Sequence, residues 1–275
     1  MVLSVRRKRL VVTIVAGLLL CAILVLVLAM CSSSSLVVMR YTVRLGSRGI
    51  VLRIVQLSDL HLRGFGDFEK SVVEKVAELR PDIVVLTGDY IEDPKHGKHL
   101  EKFVSLLRKE LGSVPIYAVI GNWELQGSTL NIVEKIFARY GIELLINDYR
   151  TVVVKGLRIV IVGFDDYLWG VPNASLIRSL PRADLYIALI HEPVFAKTLS
   201  ELGFRGIVFA GHCHGGQVKV FGYPLFLPRG CPRDLYEGMH RLGDTVLIVS
   251  RGIGTTILPL RIGTNPEIVV LDIVV

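Results

Sequence analysis

Residues 52–61 read LRIVQLSDLH. A short, largely apolar run with the length and β-branched content of a buried strand ends on Ser58, Asp59 and His61. The design recurs. DIVVLT (82–87) leads into Gly88-Asp89, and PIYAVI (115–120) into Gly121-Asn122. DLYIALI (184–190) leads into His191, and RGIVFA (205–210) into Gly211-His212-Cys213-His214. Amphipathic segments of helical period lie between several of these runs: Glu69–Leu79, Leu100–Leu111 and Ser128–Tyr140, the last closed by Gly141. The first half therefore reads βαβαβα, an α/β pattern. The last third is strand-rich, over Val218–Phe221, Thr245–Ser250 and Glu267–Val275. In α/β folds, ligand sites gather at the C-terminal ends of strands.

Each strand-end residue has an ordinary explanation when taken alone. A terminal Asp commonly caps a turn, and a lone His191 is commonly a satisfied core histidine. Jointly they are harder to dismiss, because five of the six buried runs deliver such a group, Leu157–Gly163 being the exception. Carboxylate oxygen, imidazole nitrogen and amide carbonyl are ligands for ions such as Mn, Zn or Fe. Asp59, His61, Asp89, Asn122, His191, His212 and His214 are too many for one ion and suit two divalent ions. Asp89, alone at its strand end, is expected to be shared. Two metals about 3.5–4 Å apart bind a bridging water, lower its pKa and neutralise an in-line phosphoryl group. Asp89 and Asn122 are accordingly expected to be catalytic as well as ligating. Gly88, Gly121 and Gly211 are read as allowing sharp turns beside the cluster.

The ordered set D-x-H (Asp59, His61), G-D (Asp89), G-N (Asn122), a separate His191 and G-H-x-H (His212, His214) resembles that of the calcineurin-like metallophosphoesterases. The likeness runs from about Arg53 to the C-terminus. Gln56–Leu62, Gly211–Val218 and the tail from Gly252 to Leu271 look like a membrane-associated bacterial phosphodiesterase branch similar to UDP-2,3-diacylglucosamine hydrolases. The resemblance implies a four-layer αββα sandwich. It also implies one metal on Asp59, His61 and His214, a second on Asn122, His191 and His212, and Asp89 common to both. One departure stands out: the family usually reads G-N-H-[DE], whereas here Trp123 follows Asn122. Indole supplies no proton at neutral pH, so a general acid is missing, which disfavours alkoxide leaving groups and favours anhydrides. Trp123 is expected to contact substrate, as are Asp165 and Asp166, an acidic pair like that of similar family members.

The chain's +7 charge is concentrated near its start. Residues 1–40 hold five Lys or Arg and no acid, which leaves 27 basic against 25 acidic residues beyond them. The domain carries no basic footprint, and nucleic acid is not expected as a partner. Residues 1–9 read as a basic N-terminus and 10–31, with no charge from Leu10 to Met30, as a single transmembrane anchor in the lipid bilayer. The expectation continues with a linker and lead-in over 32–50 and the phosphoesterase domain over 51–275, placed outside the cytoplasm. Cys21, Cys31, Cys213 and Cys231 form no C-x-x-C pair, and no disulfide is expected. Cys213 is read as structural, facing away from its flanking ligands.

The expected activity is two-metal hydrolysis of a phosphodiester or pyrophosphate by a metal-bridging hydroxide. The expected substrate is a phosphorylated small molecule or lipid-linked compound, such as a UDP-acylated sugar. A general cell-envelope phosphodiesterase or phosphatase is the alternative, and a catalytically lapsed metal-binding scaffold a more distant one.

Overall fold

Successive side chains on a strand point to opposite faces, and here each face has a different destination. The computed structural model describes residues 7, 9–10, 12–20, 35–46 and 49–275. In β2 (Val51–Leu57) and β3 (Ile83–Thr87), Leu52, Ile54, Ile83 and Val85 point one way and Val55, Leu57, Val84 and Leu86 the other. The first set meets Ile159, Ile161, Ile187 and Ile207 from β7 (Leu157–Gly163), β8 (Leu185–Leu189) and β9 (Gly206–Ala210). The second set packs under α1 (Asp67–Glu78), α2 (Gly97–Leu111) and α4 (Leu130–Arg139) through Val72, Val76, Phe103, Leu107 and Phe137.

Two six-stranded sheets result. The first runs β1-β14-β2-β3-β4-β5, with β1 at Val37–Arg44, β14 at Glu267–Val274, β4 at Ile116–Val119 and β5 at Glu143–Leu144. The second runs β12-β13-β9-β8-β7-β6, with β12 at Gly238–Leu242, β13 at Thr245–Val249 and β6 at Asp148–Val154. A third cluster, containing Phe164, Ala188 and Val208, covers the far face of the second sheet beneath α5 (Phe195–Glu201). The layers are helix, sheet, sheet, helix, as the resemblance implies.

Four strands that pattern reading missed, β1, β5, β6 and β12, are the edges of these two sheets. An edge strand has one partner and half-exposed faces, so it lacks an unbroken apolar run. β1 is the clearest case. Arg40, Thr42 and Arg44 are exposed and alternate with half-buried Tyr41 and buried Val43. It pairs in parallel with β14, Val37 opposite Glu267 through to Arg44 opposite Val274. Part of the expected linker over 32–50 is therefore integral to the first sheet.

The expected membrane anchor is corrected. Residues 12–20 are helical, but among the described residues no helix is long and apolar enough to cross a membrane. This overturns the single-pass assignment; residues 21–31 of that segment lie outside the described residues.

The inter-sheet layer should dominate stability. Ile187→Ala, at a fully buried inter-sheet position, is expected to cost about 2–5 kcal/mol. Val153→Ala, on edge strand β6 and 68% exposed, should stay within about 0.5 kcal/mol. Denaturant melts of the two variants check the contrast.

Candidate metal centre

β2, β3, β4, β8 and β9 end on the same rim, and the loops that follow carry the seven expected ligands. Asp59, His61, Asp89, His212 and His214 all have left-handed backbones, with φ of 52°, 42°, 57°, 70° and 50°. Such a conformation disfavours residues with a Cβ and marks a site when it clusters. Cross-loop bonds hold these turns, with the Asp59 N–H donating to the Gly88 carbonyl at 3.0 Å and the His61 N–H to that of Asp89 at 3.0 Å.

The side chains converge as two groups. In the first, His61 Nε2 lies 3.1 Å from His214 Nε2, which is 3.5 Å from Asp59 Oδ1. In the second, His191 Nε2 lies 3.2 Å from Asp89 Oδ2 and 3.3 Å from His212 Nδ1. Asp89 Oδ2 is also 3.5 Å from His61 Nε2 and so touches both groups. In each group the donor atoms lie within 4.8 Å of one another. Asn122 opens α3 (Asn122–Gln126) and is buried, with its Oδ1 lacking a hydrogen-bond partner.

The residues fit cations. Imidazole nitrogens that face each other at 3.1–3.3 Å share at most one proton, and a cation between them satisfies both lone pairs. The remaining ring nitrogens have partners of their own. His191 Nδ1–H donates to the Thr87 carbonyl at 2.7 Å and His212 Nε2–H to the Arg229 carbonyl at 2.7 Å. His61 Nδ1 lies 3.0 Å from Glu92 Oε1. These contacts fix the tautomers that leave the inward nitrogens free to ligate.

The calcineurin-like phosphoesterase family model matches residues 52–217. The chain belongs to the calcineurin-like phosphoesterase family. It is 32% identical to the uncharacterized metallophosphoesterase YkuE of Bacillus subtilis (strain 168), covering 80% of this chain and 78% of that one. It is 26% identical to phosphodiesterase YaeI of Escherichia coli (strain K12), covering 81% and 82%. Calcineurin-like phosphoesterases use two divalent metals, and the two side-chain groups answer to that number. The chain is thus a metal-dependent phosphoesterase.

Supporting residues of this phosphoesterase were partly missed by pattern reading. Glu124 is fully buried and accepts the backbone N–H groups of Asp89, Tyr90 and Gly121 at 2.8–2.9 Å. Burial, then the Asp89 charge, pushes its carboxyl up to about 7. Its place three residues after Gly121, at the start of a helix, was a legible capping signal. Gln56 Nε2 donates to Thr87 Oγ1, Thr87 to Ser58 Oγ, and Ser58 to Asp59 Oδ2, a buried relay ending on a ligand. Glu192, directly after His191, is pushed up to about 8, first by burial; its hydrogen bond with Asp166 acts the same way. Arg261, fully buried, places Nη2 3.3 Å from His214 Nδ1. No spacing rule announces Glu92, Glu192 or Arg261.

Several expectations change. Asp165 and Asp166 are used by their own turn: Asp165 accepts the N–H groups of Asp166 and Val171, and buried Asp166 those of Leu168 and Trp169. Trp123 does border the centre, with its ring edge-on to His61 at a 6.4 Å centroid separation. Cys213 faces the apolar cluster, as expected, but it is disulfide-bonded to Cys231 across 18 residues, contrary to the expectation of no disulfide. Proximity in space, invisible to spacing rules, makes the pair. The glycines serve closeness more than turning. Only Gly88 of the three is left-handed, and a Cβ there would lie 2.5 Å from His191 Nδ1. At Gly211 a Cβ would collide with the Ser58 hydroxyl.

The electrostatics divide by position. Burial works against the Asp89 carboxylate, yet His191, with His61 and His212, outweighs it and holds the group well below its usual range. Burial likewise opposes charge on His61 and His191, but Glu92 and Asp89 keep the first raised, and Asp89 chiefly the second. His212 is driven down to about 4, by burial and then His191. Raised imidazoles must shed protons before they ligate. Metal affinity should therefore climb with pH through the range above 6.5, by about tenfold per unit for each proton displaced. Calorimetric Mn²⁺ titrations at several pH values check this; a flat profile would contradict it. Asp89→Asn should weaken both ions, whereas His212→Ala should weaken one, as read by metal content after desalting.

Proposed function

We propose that this phosphoesterase hydrolyses a phosphodiester or pyrophosphate bond in an amphiphilic substrate, with a UDP-acylated sugar as the preferred candidate. The observation that carries the reaction class is the single oxygen, Asp89 Oδ2, in contact with both imidazole groups. When bound, the metal pair supplies a lowered water pKa and neutralises phosphoryl charge. Asp59, His61 and His214 would hold one ion, Asn122, His191 and His212 the other, and Asp89 both; Mn, Zn and Fe suit these donors. Asp89 Oδ1 accepts the backbone N–H of Trp123 at 2.9 Å, which fixes the carboxylate plane. The relative YaeI is named a phosphodiesterase, which supports the same reaction class.

Three features bear on the substrate. A cavity of about 190 Å³ shares His214 as a wall and is otherwise lined by Leu225, Phe226, Ile257 and Leu258 among others. Phe226 and Ile257 are 71% and 77% exposed, so the apolar surface continues outward. An acyl chain or similar apolar moiety could lie there while its phosphate reaches the metals. Trp123 provides the second argument. Its indole gives no proton to a leaving alkoxide, whereas a nucleoside monophosphate leaves an anhydride without one. A domain near charge neutrality also supports a small or lipid-linked substrate over nucleic acid.

The Mn²⁺-loaded chain should turn over aryl phosphodiesters and UDP-linked substrates, and favour an acylated UDP-sugar over its non-acylated parent. Equal rates on that pair would sink the amphiphile, and no turnover of any phosphoester would sink the reading. Trp123→His should raise kcat/KM on alkyl phosphodiesters, by up to about 10²–10⁴-fold, with little change on anhydrides. An equal gain on both would refute the leaving-group argument.

A further inference from the structure

Cys213 sits between two ligands, His212 and His214, and Cys231 sits two residues after Arg229, whose carbonyl receives His212 Nε2–H. The disulfide thus joins a ligand loop to the segment that sets a ligand's tautomer. That segment, between β11 (Tyr223–Pro224) and β12, has few other ties near His212. Gly230 accepts from the Val194 N–H at 3.2 Å, and the Cys231 N–H donates to Pro228 at 3.1 Å. Leu225, Phe226 and Arg229 are exposed. Leu227 packs against the apolar cluster on one side of the bridge, and on the other the Lys197–Asp234 pair at 3.3 Å and buried Leu235 hold the chain. Packing at the junction is close. Gly230 has φ of +94°, and a Cβ there would stand 2.9 Å from Glu192 Cγ and 3.5 Å from His212 Nε2.

We propose that Cys213–Cys231 is a positioning staple for the second metal group. It presses the Arg229 carbonyl onto His212 Nε2, so that Nδ1 is the atom left facing Asp89 and His191. Opening the staple by a dithiol transfers two electrons and two protons, giving two cysteine thiols and the oxidised reagent. The Arg229 carbonyl is then free to move off His212, and the ring can rotate or change tautomer. The first group feels this less: Cys213 also adjoins His214, but that ring and His61 are supported by Arg261 and Glu92, from segments the disulfide does not tie. Reduction should therefore weaken one ion selectively. This rests on the two-metal reading of the centre and is independent of the substrate.

The test uses the full chain and Mn²⁺ alone. The oxidised chain, a chain reduced with dithiothreitol and desalted without air, and the C213S/C231S double variant are titrated by calorimetry. Coupled dinuclear and isolated Mn²⁺ signals are followed by electron paramagnetic resonance. Loss of a partner to a ligating histidine typically costs about 10–100-fold in metal affinity. One site should weaken by that factor on reduction, the other by less than about threefold, and the coupled signal should give way to an isolated one. The double variant should match the reduced chain and be indifferent to dithiothreitol, which separates staple loss from chelation by the reagent. Unchanged binding after complete thiol formation, confirmed by alkylation and mass, would overturn the proposal. So would equal weakening of both sites with circular dichroism unchanged. An oxidised chain that binds no Mn²⁺ would remove the metal reading and the staple together.

Discussion

One carboxylate oxygen, Asp89 Oδ2, lies against imidazoles of both ligand groups, and most of the surrounding structure is arranged to keep it there. Its other oxygen is held by the Trp123 N–H and its backbone N–H by Glu124. The loop it occupies turns on Gly88, which has no space for a side chain beside His191. A charge buried this completely is costly unless paired. The raised imidazoles of His191 and His61 supply the pairing without metal, and cations would supply it with metal. The same contact explains why His191 holds its proton firmly and His212 does not: only one of two facing rings can carry charge next to one anion.

Each metal group draws on both sheets. Asp59 and His61 follow β2 while His214 follows β9; Asp89 follows β3 while His191 and His212 follow β8 and β9. The centre is therefore a property of how the sheets stack, and the inter-sheet layer of Val, Ile and Leu is part of its support. The helices outside contribute indirectly, by burying the outer faces of the strands that aim the loops.

Much of this was legible in sequence, for a physical reason. Central strands buried on both faces read as largely apolar runs, so β2, β3, β7 and β9 were delimited to within a residue, and the groups at their ends stood out. Edge strands such as β1, whose exposed Arg40, Thr42 and Arg44 interrupt the pattern, gave no run to read. The ligands were visible because they are polar residues set directly after apolar ones. Their supports were not: Glu92, Glu192 and Arg261 act from positions whose meaning depends on what lies across the fold. Cys213–Cys231 failed for the same reason, since a pairing across 18 residues depends on the path of the intervening chain. Asp165 and Asp166 show the converse, since groups that resemblance had assigned to substrate also accept the N–H groups of their own turn.

The side-chain amide of Gln56 spans the two halves of the molecule, donating to Thr87 in its own sheet and to the Ala210 carbonyl in the other at 2.8 Å. Fully buried just beneath the rim, it works as a gauge block: two bonds of fixed length tolerate little drift in the gap between the layers. A core substitution that shifts one sheet against the other must then strain these bonds before it moves the rim. The spacing of the layers at the rim is thus set by one polar residue as well as by the apolar packing beneath it.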